Sequence, residues 1–274
     1  MRPPVGSYVR CCVTRQEQVT ALYFFYRKES MEKFCFADLI VEMDCQYPML
    51  KDRSRKYLLP DSDKRKPDIT VNLSEEDFLR YEKKIPDADR EICEYMLAGE
   101  CFYRRLLSFD GMLLHSSVVG FDGKAYIFSA NCGVGKSTHT HLWTRYIKNT
   151  IIINDDKPAV RKINGEYYAY GTPFSGKNDE NANVGYPVGA LVFIERSKVN
   201  KIRKISPVEA VPLIYQQTTQ PVASPKHMDI LFGFLDGLLT SVPLYILSCD
   251  MSSEAVKTSF EALTGESFEK HLKE

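Results

Sequence analysis

The stretch Ala130-Asn-Cys-Gly-Val-Gly-Lys-Ser-Thr138 decides the fold of this chain. A β-prone segment at residues 125–129 precedes it, and a segment with helical character at residues 139–148 follows it. Glycines between a strand and a helix allow successive backbone N–H groups to surround phosphate oxygens, and the helix N-terminus adds its positive end. We therefore predict a phosphate-binding loop here, although Ala130 stands where the usual pattern has glycine.

This glycine-rich loop, residues 130–138, predicts a nucleotide and its metal ion as the ligand. We expect Lys136 to reach the β- and γ-phosphates, and the hydroxyl of Ser137 to ligate Mg²⁺. These features favour ATP with Mg²⁺, and GTP remains the alternative. The candidate nucleotide-binding residues are Asn131, Cys132, Gly133, Val134, Gly135, Lys136, Ser137 and Thr138.

Two adjacent carboxylates follow the next apolar segment. Residues 151–153 are isoleucines and lead directly into Asn154, Asp155 and Asp156, which predicts carboxylates at the C-terminal end of a strand beside the phosphates. We assign Asp155 as the base that takes the proton of an attacking hydroxyl, and Asp156, together with Ser137, as a Mg²⁺ ligand. The alternative is an ordinary turn after a strand.

Two further residues are candidate catalytic groups. His115 is predicted to lie within a strand at residues 112–119, which forms a β-hairpin with residues 125–129 before the glycine-rich loop. A single histidine in a strand is more often a core residue than a catalytic one. Lys177 ends a second glycine-containing segment, Gly171-Thr-Pro-Phe-Ser-Gly-Lys177, and we predict that it binds the phosphoryl group during transfer. An ordinary turn is the alternative for this segment.

Together, these motifs resemble the superfamily of HPr kinase/phosphorylase and phosphoenolpyruvate carboxykinase. The resemblance rests on His115-Ser-Ser-Val-Val-Gly120, on residues 130–138 and on Asn154-Asp155-Asp156, while residues 171–177 look like the shorter HPr-kinase-related proteins of bacterial gene clusters. It implies a carboxykinase-like P-loop core in which the Asp pair supplies a base and a metal ligand, and the histidine supports the base. We find no counterpart of the loop that binds the protein HPr, so the resemblance leaves the phosphoryl acceptor open.

Around this core, the patterns predict an α/β protein whose N-terminal part is α+β. We expect residues 109–274 to form the catalytic domain, a mixed β-sheet with flanking helices, and residues 1–108 to form an accessory region. The boundary is predicted near residues 108–111, where helical spacing gives way to strand-like segments. Asn164-Gly165 predicts a β-hairpin within the catalytic domain.

The accessory region gives fewer signals. Ser74 and Asp77 have the spacing of a capping box and predict the start of a helix. Residues 19–26 are aromatic and β-prone, which predicts a strand. Residues 51–66 contain seven basic and three acidic residues and predict an exposed connection, with a docking surface for an acidic substrate as the alternative.

Composition limits the partners. The 274 residues carry 36 basic and 36 acidic side chains, so no global field favours nucleic acid or an anionic membrane. The N-terminus lacks the apolar core of a signal peptide, and the most apolar stretch, residues 230–247, is interrupted by Asp236 and Pro243. The cysteines form no Cys-x-x-Cys pair and are expected to be reduced thiols. We predict a cytoplasmic protein, with a homo-oligomer as one option for its assembly.

The leading hypothesis is an ATP-dependent kinase that phosphorylates a hydroxyl of a peptide or protein serine, or of a small molecule. A nucleotide-binding regulatory or sensor protein without turnover is the alternative from another class. A carboxykinase-like enzyme is a third hypothesis, against which the sequence lacks the full ligand set for oxaloacetate and Mn²⁺. The Asp pair, His115 and Lys177 favour catalysis, because binding alone needs only the glycine-rich loop.

Overall fold

A small sheet and three helices make up the first part of the chain in the computed structural model, which describes residues 31–86, 88–218 and 225–273. Strands β1 and β2 form an antiparallel hairpin, and β3 adds to β2 in parallel. The elements are β1 (Glu32–Phe36), β2 (Leu39–Met43), α1 (Pro48–Ser54), β3 (Ile69–Val71), α2 (Glu75–Lys84) and α3 (Arg90–Leu106). The strand predicted at residues 19–26 lies outside the described residues.

The start of α2 confirms the capping box. The Ser74 hydroxyl accepts a hydrogen bond from the Asp77 backbone N–H, and the Asp77 carboxylate accepts one from the Ser74 N–H. These bonds satisfy two backbone donors that have no partner inside the helix, so this short motif determines where α2 begins. Helix α3 begins similarly, because the Asp89 side chain accepts a hydrogen bond from the Ile92 N–H.

The predicted exposed connection at residues 51–66 is wrong for its first half. Helix α1 and a 3₁₀ turn, Arg55–Tyr57, occupy it, and Leu50, Ser54 and Tyr57 are buried. These three side chains recur at a helical spacing of four and three residues, a pattern that the dense charges between them conceal in the sequence. The segment is therefore amphipathic, with its charged face outward.

A larger mixed sheet forms the rest of the molecule. Its strand order is β4-β8-β9-β10-β6-β5-β7, with β12 paired to β10 and β11 paired to β12. The strands are β4 (Gly111–Leu113), β5 (Ser116–Phe121), β6 (Lys124–Ser129), β7 (Thr150–Asp156), β8 (Ala159–Ile163), β9 (Glu166–Tyr170), β10 (Gly185–Arg196), β11 (Lys201–Lys204) and β12 (Leu244–Cys249). The predicted β8–β9 hairpin around Asn164-Gly165 is confirmed.

Strand directions bring several carboxyl ends to one edge of this sheet. Strand β10 is parallel to both β6 and β12, and β5 is antiparallel to both β6 and β7. Strands β6, β7, β10 and β12 therefore point the same way, and the segments that leave their C-terminal ends are neighbours. In open α/β sheets this edge is where ligands bind.

Helices cover both faces of the larger sheet. Alternate residues of β5 and β6 point to opposite faces: Val118 and Ile127 belong to one hydrophobic core, and Val119 and Phe128 to another. The helices are α4 (Lys136–Tyr146), α5 (Pro207–Tyr215), α6 (Pro225–Ser241), α7 (Ser253–Thr264) and α8 (Phe268–His271). The predicted mixed sheet with flanking helices is thus observed, and no described helix is long and apolar enough to cross a membrane.

One hydrophobic core joins the small sheet to the larger one. Phe36, Tyr95 and Phe102 from the first part of the chain pack with Tyr170, the last residue of β9, and with Phe174, which follows it. The ring of Phe174 is 5.9 Å from that of Phe102 and 5.8 Å from that of Tyr95, measured between centroids. The segment after β9 is therefore anchored in the core of the N-terminal part.

Candidate functional site

The glycine-rich loop connects β6 directly to α4. Strand β6 ends at Ser129 and α4 begins at Lys136, which is the strand–loop–helix order that the sequence predicts. Gly133 and Gly135 have φ angles of +76° and +127°, a backbone region that side chains rarely allow. The N-cap of α4 is Gly135, which has no side chain to bond the first N–H groups of the helix. These N–H groups are available to an anion.

Two side chains from other elements hold the glycine-rich loop. The Arg196 guanidinium, at the end of β10, donates hydrogen bonds to the carbonyls of Gly133 and, at 3.1 Å, Val134. The Gln217 Nε2 donates to the Asn131 Oδ1 at 2.9 Å. The Gln217 carbonyl also accepts the His115 N–H at 3.0 Å, so one buried residue ties the loop to the predicted catalytic histidine.

Lys136 is buried beneath the loop. Its side chain is folded back, and its Nζ donates to the Ala130 carbonyl at 3.0 Å. Burial lowers the pKa of Lys136, and the nearby charge of Asp156 opposes this shift. A cation held in this way is partly desolvated, which strengthens its attraction to a phosphate that enters the loop.

The two carboxylates stand at the C-terminal end of β7, as the sequence predicts, in different environments. Asp155 is buried, and its Oδ1 has no hydrogen-bond partner among the described residues. The Oδ1 of Asp156 lies 3.0 Å from the His115 Nε2, and its Oδ2 lies 3.7 Å from the Lys157 Nζ. The hydrogen bond from His115 lowers the pKa of Asp156, although burial acts against it.

His115 lies in a different place from the one predicted. The segment at residues 112–119 is not one strand: β4 ends at Leu113, β5 begins at Ser116, and His115 lies in the two-residue link between them. Strand β4 pairs with β8, whereas β5 pairs with β6 and β7, so the chain must change neighbours at this point. This link frees His115 from the sheet and lets it reach Asp156.

A second loop, residues 171–184, covers the carboxylates. The Gly176 N–H donates to the Asp155 carbonyl, and the Asp155 N–H donates to the Glu180 carbonyl, both at 2.9 Å. A Cβ on Gly176 would lie 3.3 Å from the Asp155 Oδ2, so glycine permits this close approach. The segment ending at Lys177 therefore lies beside the Asp pair. The Lys177 side chain itself is exposed, and its contact with a phosphoryl group stays a prediction.

Several residues at this site carry no motif in the sequence. His141, one turn beyond Ser137 on α4, has its Nε2 2.6 Å from the Glu180 Oε2 of the second loop. On the other side, the Tyr57 hydroxyl donates to the Asn181 Oδ1 at 2.6 Å. These pairs are far apart in sequence, and the spacing of residues along the chain does not indicate them.

A cavity of about 500 Å³ lies beside the glycine-rich loop at the ends of β10 and β12, whereas the carboxylates end β7, on the other side of β6 in the strand order. It opens between α4 and the ends of β10 and β12, and its lining includes Val134, Leu142, Arg196, Asp250 and Met251. Apolar walls with a few polar groups at the carboxyl edge of a sheet are typical of sites for small molecules.

The oxygen groups at this site could supply some, but not all, of the ligands of a Mg²⁺ ion. The Asp156 carboxylate and the Ser137 hydroxyl are oxygen groups of the kind that Mg²⁺ prefers. The described residues contain no group of three or more His, Cys, Asp or Glu side chains arranged to hold a metal ion. A magnesium ion here would thus need further oxygens from phosphates and water, which is how nucleotide-bound Mg²⁺ is usually held.

Comparisons with known proteins identify no family for this chain. No family profile matches this chain, and no curated protein matches it by sequence. Among solved structures, the Hpr(Ser) kinase/phosphatase from Coxiella burnetii aligns with a TM-score of 0.33 and 8% identity over 56% of this chain and 94% of that chain. A likeness of this size does not by itself establish a shared fold or activity.

Proposed function

We propose that this protein is an ATP-dependent phosphotransferase that moves the γ-phosphoryl group to a hydroxyl of a peptide, a protein serine or a small molecule. The observation that carries the proposal is the position of the Asp pair, with Asp155 buried and Asp156 partly exposed, beside a glycine-rich loop with an uncapped helix N-terminus and a buried lysine. The loop suits an anionic phosphate chain, and the carboxylates suit proton transfer and cation binding next to it.

The different surroundings of the two carboxylates support different roles. Asp155 has a buried oxygen without a partner among the described residues, so it can accept the proton of an acceptor hydroxyl. Asp156 has a lowered pKa, which makes it a poor base and a good ligand for a cation. His115 holds the Asp156 carboxylate in place through the 3.0 Å contact.

The transfer step follows from these roles. As Asp155 takes its proton, the acceptor oxygen bonds to the γ-phosphorus, and the bond from that phosphorus to the β–γ bridging oxygen breaks to release ADP. Lys136 and the N–H groups at the start of α4 stabilise the charge on the phosphate oxygens. Mg²⁺, held by Asp156 and Ser137, would neutralise part of the same charge when it is bound.

The position of the cavity supports one direction for the nucleotide. If the γ-phosphate lies at the Asp pair, on the β7 side of β6, the nucleoside extends toward the opposite side, over β10 and β12. The cavity of about 500 Å³ lies there and is large enough for a base and a ribose. We infer that the nucleoside binds between α4 and the ends of these two strands.

Binding of ATP and of tripolyphosphate, which lacks the nucleoside, tests both statements by calorimetry. In the presence of Mg²⁺ the wild-type protein should bind both, and Lys136→Ala should weaken both. Met251 lines the cavity and is 74% exposed. A larger side chain at this position would fill part of the cavity. Met251→Trp should therefore weaken the binding of ATP and leave the binding of tripolyphosphate unchanged. Failure of the wild-type protein to bind either compound would contradict the proposed function, and an unchanged ATP affinity in Met251→Trp would contradict only the nucleoside site.

Turnover is tested separately with ATP labelled at the γ-phosphate and a library of peptides and hydroxyl-bearing metabolites. Transfer of the label to one class identifies the acceptor. Binding of ATP without transfer or hydrolysis would instead favour the nucleotide-binding sensor.

A further inference from the structure

Arg53, in the last turn of α1, reaches from the N-terminal part of the chain to the second loop. Its Nη1 donates to the carbonyls of Ser175 at 3.2 Å and Gly176 at 3.1 Å, and its Nη2 donates to the Lys177 carbonyl at 3.4 Å. One guanidinium group thus holds three consecutive carbonyls. Arginine suits this contact because its donors form a planar fork, whereas the lysine ammonium group is a compact point charge on a flexible stem.

Tyr95 of α3 completes the anchor. The Arg53 guanidinium lies over the Tyr95 ring, 4.7 Å from its centroid, and its Nη1 also donates to the Tyr95 hydroxyl at 3.0 Å. That hydroxyl donates in turn to the Ser175 carbonyl at 2.5 Å. Burial raises the pKa of Tyr95 to about 12, so the phenol keeps its proton and remains a donor to the loop.

The same peptide segment faces Asp155 on its other side. The Gly176 carbonyl accepts from Arg53, while the Gly176 N–H donates to the Asp155 carbonyl at 2.9 Å. Gly176 is therefore held between a cation from the N-terminal part and the strand end that carries the Asp pair. Further along the loop, the Lys56 Nζ donates to the Asn181 carbonyl at 3.2 Å, which adds a further contact from the same part of the chain.

We propose that Arg53 is a positioning residue for phosphoryl transfer: it holds the second loop against Asp155 and so determines where Gly176 and Lys177 stand relative to the transferred group. The inference rests on the proposed function. It also gives the N-terminal part a role in the site, since a loop misplaced by about 1 Å is enough to slow a reaction that depends on alignment.

Two substitutions at Arg53 and one matched control test the proposal in the full-length chain. Arg53→Gln removes the charge and most donors, Arg53→Lys keeps the charge without the fork, and Arg55→Gln alters an exposed neighbour that is paired only with Asp52 in the described contacts. Turnover is followed as ATP hydrolysis, with water as the acceptor. Order in the loop is followed by hydrogen exchange of peptides that cover residues 171–181.

In Arg53→Gln, kcat should fall by about tenfold or more while the KM for ATP stays unchanged, and exchange at residues 171–181 should accelerate. Arg53→Lys should give an intermediate kcat, and Arg55→Gln should match the wild-type protein. The KM should not change because the glycine-rich loop is untouched. If Arg53 served only the overall fold, its loss would instead change KM and kcat together.

Three results would overturn the positioning role: unchanged exchange in the loop, a kcat equal to that of Arg55→Gln, or faster exchange throughout the chain with a higher KM. A wild-type protein that neither binds nor hydrolyses ATP would overturn the proposed function and the positioning role with it. The exchange measurement needs no turnover, so it reports in every case whether Arg53 holds the loop.

Discussion

The glycine-rich loop and the second loop meet at the same carboxylates, yet they obtain their shapes differently. The first lies between a strand and a helix that continue directly from it. Arg196 and Gln217 also contact this loop, but its backbone needs the positive φ angles of its own Gly133 and Gly135. The second is held by Arg53 and Tyr95, which lie 80 or more residues away in sequence. A loop shaped by its own residues can be recognised from a short motif, whereas a loop shaped by distant contacts cannot.

The largest effect is expected at the two carboxylates that lie between these loops. Asp155→Asn keeps the size of the side chain and removes its basicity, so turnover should fall by roughly 10²–10⁴-fold with ATP binding largely retained. Asp156→Asn should instead raise the Mg²⁺ concentration needed for half-maximal turnover. Steady-state kinetics at varied Mg²⁺ distinguishes them, and wild-type rates in both variants would show that the pair is structural.

A smaller effect, on ATP affinity in one loop and on kcat in the other, is expected when a glycine of each loop is replaced. Gly135→Ala forces a side chain onto a φ of +127°, which costs about 1–3 kcal/mol and should lower ATP affinity by about 5- to 150-fold. Gly176→Ala meets the Asp155 Oδ2 at 3.3 Å, so it should lower kcat several-fold and leave ATP affinity unchanged. Calorimetry with ATP and hydrolysis kinetics measure the two effects.

Matched controls exist for both glycines. Gly123 also has a positive φ, +69°, but lies in the β5–β6 turn, so Gly123→Ala should reduce stability without changing ATP affinity. Gly233 in α6 has open space around its missing side chain, and Gly233→Ala should be neutral or slightly stabilising. Loss of ATP affinity in Gly176→Ala would contradict the separation of roles between the loops.

Lys177 tests whether the second loop supplies charge as well as shape. Its exposed side chain can turn toward the transferred group, so Lys177→Met should lower kcat by a smaller factor than Asp155→Asn and leave ATP affinity nearly intact. An unchanged kcat would make it a surface residue. Reduced ATP affinity with an unchanged kcat would make it a ligand of the bound nucleotide.

The smallest effect is on stability. Its dependence on pH has opposite signs in α4, which follows the glycine-rich loop, and in α3, whose Tyr95 holds the second loop. Burial lowers the pKa of His139 on α4 to about 3, so its contribution is present above pH 6.5, the ordinary value, and is lost as pH falls toward 3. Burial raises the pKa of Glu94 on α3 to about 7, so its contribution is present below pH 4.5 and is lost as pH rises through 7.

Urea unfolding between pH 4.5 and 7.5 measures this difference. Glu94→Gln should gain stability relative to the wild-type protein as pH rises, by roughly 1 kcal/mol once screening is allowed for. His139→Gln should lose its disadvantage as pH falls. A pH-independent difference in both variants would mean that neither group changes its pKa on folding.

Short-range signals account for what could be predicted from the sequence. The glycine-rich loop, the Ser74–Asp77 capping box and the Asn164-Gly165 hairpin each depend on residues within a few positions of one another, and the elements around them are observed. The β1–β2 hairpin was not predicted, because its turn uses Ala37 and Asp38 at positive φ without a glycine. The Tyr170 hydroxyl donates to Asp38 at 2.5 Å, a contact that supports this turn from 132 residues away.

The candidate site likewise contains residues whose positions the sequence indicates and residues whose contacts it does not. The position of Asp155 and Asp156 follows from one apolar strand, and the sequence indicates it. The contacts of His115, Gln217, Arg53 and Glu180 depend on how strands exchange neighbours and on how the small sheet packs, neither of which a local pattern contains. The break between β4 and β5 is the clearest case, because both strands are apolar and only their pairing separates them.

Phe174 has a consequence for how this protein is made. Its ring is buried among Phe36, Phe102 and Tyr103, and Gly99 leaves the space that it fills, since a Cβ there would lie 3.1 Å from the ring. The residues that receive the ring leave the ribosome before Phe174 does, so its docking place can form first during synthesis. Residues 109–274 expressed alone should therefore aggregate, and adding residues 1–108 as a separate chain should rescue their solubility.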